Sequence, residues 1–266
     1  MTLNPILEFG RDILSRADES FEREWLETNG IGGFASSTIW GTNTRRYHGL
    51  LVAATKSPLG RMVLLSKLED AVIVEGKRFE LSVNRYPGGV LHPQGFAHLV
   101  SFLLDPFPVF RYEIGEISIE KTVFMVHGEN TTVVQYEVVG DRGCTLEVRP
   151  LVAFRDYHTL THENAALHNG YVEDGMHVLF QPYDGVPTLF FGYERGKLEK
   201  TGDWYRNFEY DRERERGLDF LEDLFNPFLI NAELNPKATT SIVASTSRQE
   251  GLVSSVQVSP GNRLSP

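Results

Sequence analysis

The stretch "FRYEIGEISIEKTVFMVHGENTTVVQYEVVG", residues 110–140, decides the fold. Tyr112, Ile114, Ile117, Ile119, Val123 and Met125 fall at near-alternating positions, and Gly128-Glu129-Asn130 breaks the run before Thr132–Val138 resumes it. Alternation sends successive side chains to opposite faces of a strand, so each run reads as a half-buried strand and the break as a turn. The same texture fills "RMVLLSKLEDAVIVEGKRFELSVNRY" (61–86), with a turn at Glu75-Gly76-Lys77. It returns in "CTLEVRPLVAF" (144–154), "MHVLFQPYDGVPTLFFGY" (176–193) and "ATTSIVASTS" (238–247). Period-two runs separated by Gly, Asn and Asp predict an all-β chain of antiparallel sheets packed as a sandwich, with few short helices. One helix is predicted, in "DRERERGLDFLEDLF" (211–225), where Leu218, Leu221, Leu224 and Phe225 would share an apolar face. Gly217 interrupts it, so a bent or short helix is expected, with its charges on a solvated face.

A chain of 266 residues can bury a large core, as one big β domain or two smaller ones. The net charge of −10 leaves no basic stripe to displace counterions from phosphates, which excludes nucleic acid as a partner. Cys144, the single cysteine, rules out an internal disulfide framework and reads as a small buried hydrophobe. No apolar run approaches the roughly 18 residues of a membrane span, and "MTLNPILEFGRD" has no secretory pattern, so a cytoplasmic protein is expected. Residues 1–20 read as an N-terminal extension, 21–250 as the β domain, and 251–266 as a polar tail or linker.

Chemistry concentrates in two places. In "ETNGIGGFASSTIWGTNTRRYHGLLVA" (27–53), Gly30, Gly32 and Gly33 allow close backbone approach but lack the spacing of a dinucleotide fingerprint. Asn43, Arg45, Arg46, Tyr47 and His48 then supply an amide, two guanidiniums, a phenol and an imidazole. If extended, the segment puts Arg45 and Tyr47 on one face and Arg46 and His48 on the other. Planar donors and aromatic faces of this kind bind sugars, whereas the competing reading has Trp40 and Tyr47 in the core and the arginines in surface ion pairs. The second place is "FRDYHTLTHEN" (154–164), where Asp156 could orient His158 or an arginine such as Arg155. His158 and His162 stand four apart without H-E-x-x-H, so no metal is expected; no cofactor motif and no G-x-S-x-G occur. His92 and His98 read as ordinary turn and strand histidines, and Trp204, Tyr205 and Phe208 as packing aromatics.

Five segments carry a family resemblance: residues 24–53, "LGRMVLLSKLED" (59–70), "NTTVVQYEV" (130–138), "RPLVAFRDYH" (149–158) and "WYRNFEYDRERERGLDFLEDL" (204–224). Together they resemble the N-terminal domain of bacterial and archaeal glycogen debranching enzymes, from about Phe21 to about Leu224. The resemblance implies an antiparallel β-supersandwich, galactose-mutarotase-like in shape. In that family it precedes a barrel of paired α-helices that carries amylo-α-1,6-glucosidase activity. After residue 225 the chain has no run of helical hairpins, so it reads as the sandwich half, with no catalytic carboxylates of its own. Its implied partners are an α-glucan or glycogen oligosaccharide and the helical-barrel catalytic domain of the same polypeptide. Asn43, Arg45, Arg46, Tyr47 and His48, with Arg155, Asp156 and His158, would shape the glucan cleft between them. Two other readings stay open: a stand-alone mutarotase-like enzyme pairing His48 or His158 with Asp156 or Glu27, and a structural sandwich forming a homodimer.

Overall fold

The computed structural model describes residues 7–56 and 60–249. The chain opens with β1 (Leu7–Gly10), α1 (Arg11–Leu14), α2 (Ala17–Glu22), β2 (Glu24–Thr28), β3 (Phe34–Thr38) and β4 (Gly49–Lys56). There follow β5 (Gly60–Val74), β6 (Lys77–Glu80), β7 (Val83–Tyr86), β8 (Val90–Gln94), β9 (Leu99–Leu104) and β10 (Pro108–Ile114). The middle comprises β11 (Ile117–Met125), β12 (Thr131–Val139), β13 (Cys144–Asp156), β14 (Tyr171–Asp174) and β15 (His177–Phe180). It ends with β16 (Leu189–Tyr193), β17 (Lys197–Glu209), α3 (Asp211–Glu215), β18 (Leu221–Leu234) and β19 (Thr239–Ser245).

These strands build two large sheets, as the alternation in the sequence predicts. One has nine strands in the order β1-β9-β10-β11-β12-β19-β16-β15-β14; the other has eight, β17-β18-β13-β5-β4-β3-β2, with β6 beside β5. The pairings are antiparallel, and β7 with β8 forms a separate hairpin. At the β5–β6 turn Glu75 and Gly76 both have positive φ (51° and 76°), the primed geometry whose twist suits a two-residue hairpin. The inner faces meet ring on ring: Trp25 against Phe110 at 6.2 Å, Phe191 against Phe228 at 5.4 Å, and Phe180 against Phe225 at 6.1 Å. Each pair joins one sheet to the other, burying large aromatic area where edge-to-face and offset contacts are favourable.

The eight-stranded sheet is also covered on its outer side. Val52, Val63, Leu151, Ala153 and Leu224 form a second apolar cluster there, closed over by Phe208 and Tyr210. The segment expected as a helix over 211–225 explains this cover. Only the five residues Asp211–Glu215 are helical; Gly217, at φ 68°, turns the chain, and β18 begins at Leu221. Leu224 packs in the outer cluster and Phe225 in the inner core, so adjacent residues face opposite ways as a strand requires. Pairing with β13 and β17 overrides the helical spacing. Nor is α3 a solvated face, because Asp211 and Glu213 are buried.

Residues 7–20 join the same body, with β1 pairing along β9, Leu14 buried, and the Trp40 indole donating to the Leu14 carbonyl at 2.9 Å. Trp40 is therefore a core residue, stacked on Phe96. Cys144 is buried, and burial pushes its thiol up to about 11. Among the described residues no helix is long and apolar enough to cross a membrane. The segment expected as a tail, 251–266, lies outside the described residues.

The glycine cluster closes one end of the sandwich. Asn29 Nδ2 donates to the Glu129 carbonyl (2.8 Å), while its Oδ1 accepts from the Gly33 N–H (2.9 Å). Asn130, in the β11–β12 turn, exchanges two bonds of 2.9 Å with the backbone of Ala54 in β4, across the sheets. A side chain at Gly33 would meet Asn29 Nδ2 at 2.4 Å, Asn130 Oδ1 at 2.7 Å and the Val52 carbonyl at 3.0 Å. The close approach predicted for these glycines is thus made to the chain's own clasp. Gly33→Ala should therefore cost about 1–3 kcal/mol through overpacking, lowering Tm by roughly 2–4 °C per kcal/mol. A thermal melt followed by circular dichroism checks this, and an unchanged Tm would contradict it.

Candidate functional site

The segment Arg45–His48 is a turn, closed by the His48 N–H donating to the Arg45 carbonyl at 3.0 Å. That corrects the extended-strand expectation. Arg46 and Tyr47 sit together at the tip, while Arg45 and His48 flank it and share one carboxylate. Arg45 Nε donates to Glu24 Oε1 at 2.6 Å, and His48 Nε2 lies 3.5 Å from the same oxygen. His48 is only 2% exposed, and its Nδ1 accepts the Thr44 N–H at 3.1 Å, which leaves the proton on Nε2. Burial lowers the imidazole's pKa, so it is held neutral. Burial opposes the charge on Glu24, but the bonds from His48 and Arg45 outweigh it and hold that carboxyl down at about 2. Asn43 is buried as well, accepting from Ser37 Oγ (2.9 Å) and donating to Ser66 Oγ (3.1 Å). Asn43 and His48 thus shape the turn from inside.

Arg155 anchors the turn from beneath. In β13 the register shifts between Val152 and Arg155, and Phe154 adopts φ 49°, an uncommon conformation for a bulky residue. This bulge seats the Phe154 ring against Phe180 at 5.8 Å and turns Arg155 inward. Its guanidinium grips Glu222 of β18 through Nε and Nη2, the latter at 3.1 Å, and Nη2 also donates to the Arg46 carbonyl at 2.8 Å. Tyr210 donates its hydroxyl to Glu222, and the Thr161 N–H adds a 3.0 Å bond. Arg155 is 5% exposed and Glu222 fully buried. Arg155 therefore positions the site, with its donors committed to the protein.

Above it lies a partly exposed platform of rings and donors. Arg46 Nη1 donates to the His158 carbonyl at 2.7 Å and its guanidinium lies over the Tyr47 ring at 5.3 Å. The Tyr47 hydroxyl is 3.1 Å from His158 Nδ1. The Tyr157 ring lies 5.4 Å from Tyr47 and 4.0 Å from His158, and Arg61 covers it at 5.6 Å. Exposed Asp156 accepts the His158 backbone N–H at 2.8 Å, fixing the loop and leaving the ring to Tyr47. Glu213, wholly buried, lies 3.5 Å from Arg46 Nε and holds the turn from the α3 side.

The two sequence segments, 43–48 and 155–158, are thus brought together: Asp156 and His158 are exposed, Arg45, Arg46, Tyr47 and Tyr157 partly exposed, and Asn43, His48 and Arg155 buried. Neither His48 nor His158 is hydrogen-bonded to Asp156 or Glu27 through its ring; burial alone pushes Glu27 up to about 7. Glu24, Glu213 and Glu222 are the residues sequence reading missed. Glu222 carried a readable signal, as an acid within the apolar run "FLEDLFNPFLI", had that run been taken as a strand. Among the described residues no group of His, Cys, Asp and Glu could hold a metal ion. Trp204 packs on Phe225 and Phe208 on Tyr86, as expected of core aromatics.

Residues 23–241 match the family described as glycogen debranching enzyme N terminal. The chain belongs to this family. The fold is therefore that of a glycogen debranching enzyme N-terminal domain, as the resemblance implied. No curated protein matches the chain. Among solved structures, it is similar to a 4-alpha-glucanotransferase from Thermococcus litoralis, with 10% identity, a TM-score of 0.43, and 92% of this chain and 42% of that one covered. A bacterial glucoamylase complexed with acarbose gives 10% identity, a TM-score of 0.37, and coverage of 85% and 30%. A heparan sulfate lyase from Pedobacter heparinus gives 11%, 0.34, and 82% and 31%. The chain thus spans between 30% and 42% of the length of these structures.

Because Arg155 is buried with Glu222 as its counter-charge, removing that charge should be costly. Glu222→Gln is expected to destabilise the chain by about 3–5 kcal/mol, read from urea denaturation midpoints at constant m. A loss below about 1 kcal/mol, the ordinary cost of a surface pair, would show that the pair does not anchor the site.

Proposed function

We propose that this chain is the sandwich half of an α-glucan debranching enzyme. Its Arg46–Tyr47–Tyr157–His158 platform forms one wall of the glucan cleft, facing a helical-barrel catalytic domain of the same polypeptide. The observation that supports this is the contrast between a partly exposed set of rings and donors and the buried charge pair that holds it still. Stacking rings suit the C–H face of a pyranose, and a guanidinium suits paired hydroxyls. In this reading the platform orients the branch while the barrel supplies the chemistry. Hydrolysis of an α-1,6 bond by general acid and second carboxylate needs two carboxyl groups flanking the scissile oxygen. In the platform's loop, Asp156 accepts the His158 backbone N–H through Oδ1.

The division of labour has separable consequences. The chain by itself should release no glucose from a limit dextrin. Joined to its barrel, Arg46→Ala and Tyr47→Ala should each lower kcat/KM about ten- to hundredfold, the worth of roughly 1.5–3 kcal/mol for a charge-assisted bond. Steady-state assays on folded protein check both. Glucose release by the chain alone, or full kcat/KM in both variants, would contradict the reading.

A further inference from the structure

On the outer side of the eight-stranded sheet, away from the Arg46–Tyr47 turn and sharing no residue with that platform, lies a groove of about 300 Å³. It is lined by Glu69 of β5, Arg78 and Glu80 of β6, Tyr86 of β7, Arg149 of β13 and Tyr205 of β17, with the exposed His92 of β8. The Tyr86 and Tyr205 rings both pack against the outer apolar cluster, so each presents an edge or face with little freedom left to lose.

The charges in the groove are already answered. Arg78 Nε and Arg149 Nη1 both donate to Glu147 Oε2, at 2.7 Å and 3.0 Å, and Arg78 also pairs with Glu80. Glu69 is 7% exposed, and its Oε1 takes the Asn84 amide at 2.9 Å and the Lys67 ammonium at 3.2 Å. Its Oε2 receives no hydrogen bond from the described residues, although the carboxylate lines the groove. Along the walls two guanidiniums balance two carboxylates, Arg78 and Arg149 against Glu69 and Glu80. A phosphate would require surplus cationic donors. A bare metal ion would require carboxylates not already paired with arginine and lysine. What remains is a neutral wall rich in fixed donors and acceptors beside two phenol rings. Burial pushes Tyr86 up to about 12 and raises Tyr205 as well, so both hydroxyls stay protonated and can donate at neutral pH.

We infer that this groove is a second carbohydrate site, which takes a neutral hexose or disaccharide unit against Tyr86 and Tyr205, with hydroxyls on Glu69 Oε2 and the two arginines. At about 300 Å³ it stands at the lower end of ligand-pocket sizes, which fits one or two sugar rings and excludes a long glucan chain lying wholly inside it. The inference does not depend on the reading of the Arg46–Tyr47 platform. The two sites would hold separate parts of a branched glucan, or the groove would hold a sugar with no barrel present.

The test is a titration of the whole chain with maltose, followed by amide chemical shifts in heteronuclear NMR and by calorimetry. Glucose 6-phosphate serves as the charged probe and Glu113→Gln, exposed in β10 on the nine-stranded sheet, as the control. Saturable shifts should centre on the amides around Glu69, Arg78, Tyr86, Arg149 and Tyr205. Glu69→Gln and Tyr205→Ala should each weaken maltose binding in the groove at least tenfold, and Glu113→Gln should leave it unchanged. Absence of saturable shifts in the unmodified chain overturns the proposal, as do shifts confined to the Arg46–Tyr47 platform or a preference for the phosphorylated sugar. Should a variant fail to fold, the shift map of the unmodified chain still decides.

Discussion

The ion pair between Arg155 and Glu222 is the interaction on which the site depends. Four segments converge on it: β13 through the bulge at Phe154, β18 through Glu222, the loop after β13 through the Thr161 N–H, and the 45–48 turn through the Arg46 carbonyl. Tyr210 adds the entry to α3. A buried charge pair is a poor source of net stability, because both ions give up water. Its value lies in geometry: five donors in a rigid fork satisfy a carboxylate and a carbonyl in one arrangement only. The positive φ of Phe154 belongs to the same device, since the bulge turns the guanidinium inward while the ring stays in the core.

The sandwich beneath follows a similar rule at its buried charges, which are answered by partners across the sheets. Lys121 of β11 pairs with Asp70 of β5, and the Tyr136 hydroxyl donates to the same aspartate at 2.8 Å. Outside the eight-stranded sheet, Lys67 ties β5 to β7 through the Val83 carbonyl (2.9 Å) beside Glu69. Asn29 and Asn130 do for one end of the sheets what Asp70 does for the middle. Unpaired, any of these groups would cost kilocalories; paired, they fix register between two sheets that apolar contacts alone would let slide.

Much of this was legible in the sequence. The stretch over Phe110–Ile119 read as strands because its buried residues alternate with more exposed ones, so period two survives in the letters. The region 211–225 misled for the opposite reason: β18 is covered on both faces, its apolar residues are nearly continuous, and spacing no longer distinguishes strand from helix. The face assignment at 45–48 failed because a turn closed by one backbone bond leaves no periodic trace. Glu24, Glu213 and Glu222 were missed because an acid that answers an arginine from a distant strand reads locally as a solvated charge. Of the run Asn43–His48, the structure leaves Arg45, Arg46 and Tyr47 partly exposed and buries Asn43, Thr44 and His48.

The central claim is that Arg46, Tyr47, Tyr157 and His158 form a fixed wall toward the glucan and its catalytic barrel. Hydrogen–deuterium exchange on the barrel-joined enzyme, with and without a branched maltooligosaccharide, tests it most directly. The account expects amides of residues 44–48 and 156–160 to be slowed by the barrel and slowed again by the sugar. Unchanged exchange there in both comparisons, with protection appearing on the nine-stranded sheet instead, would contradict it.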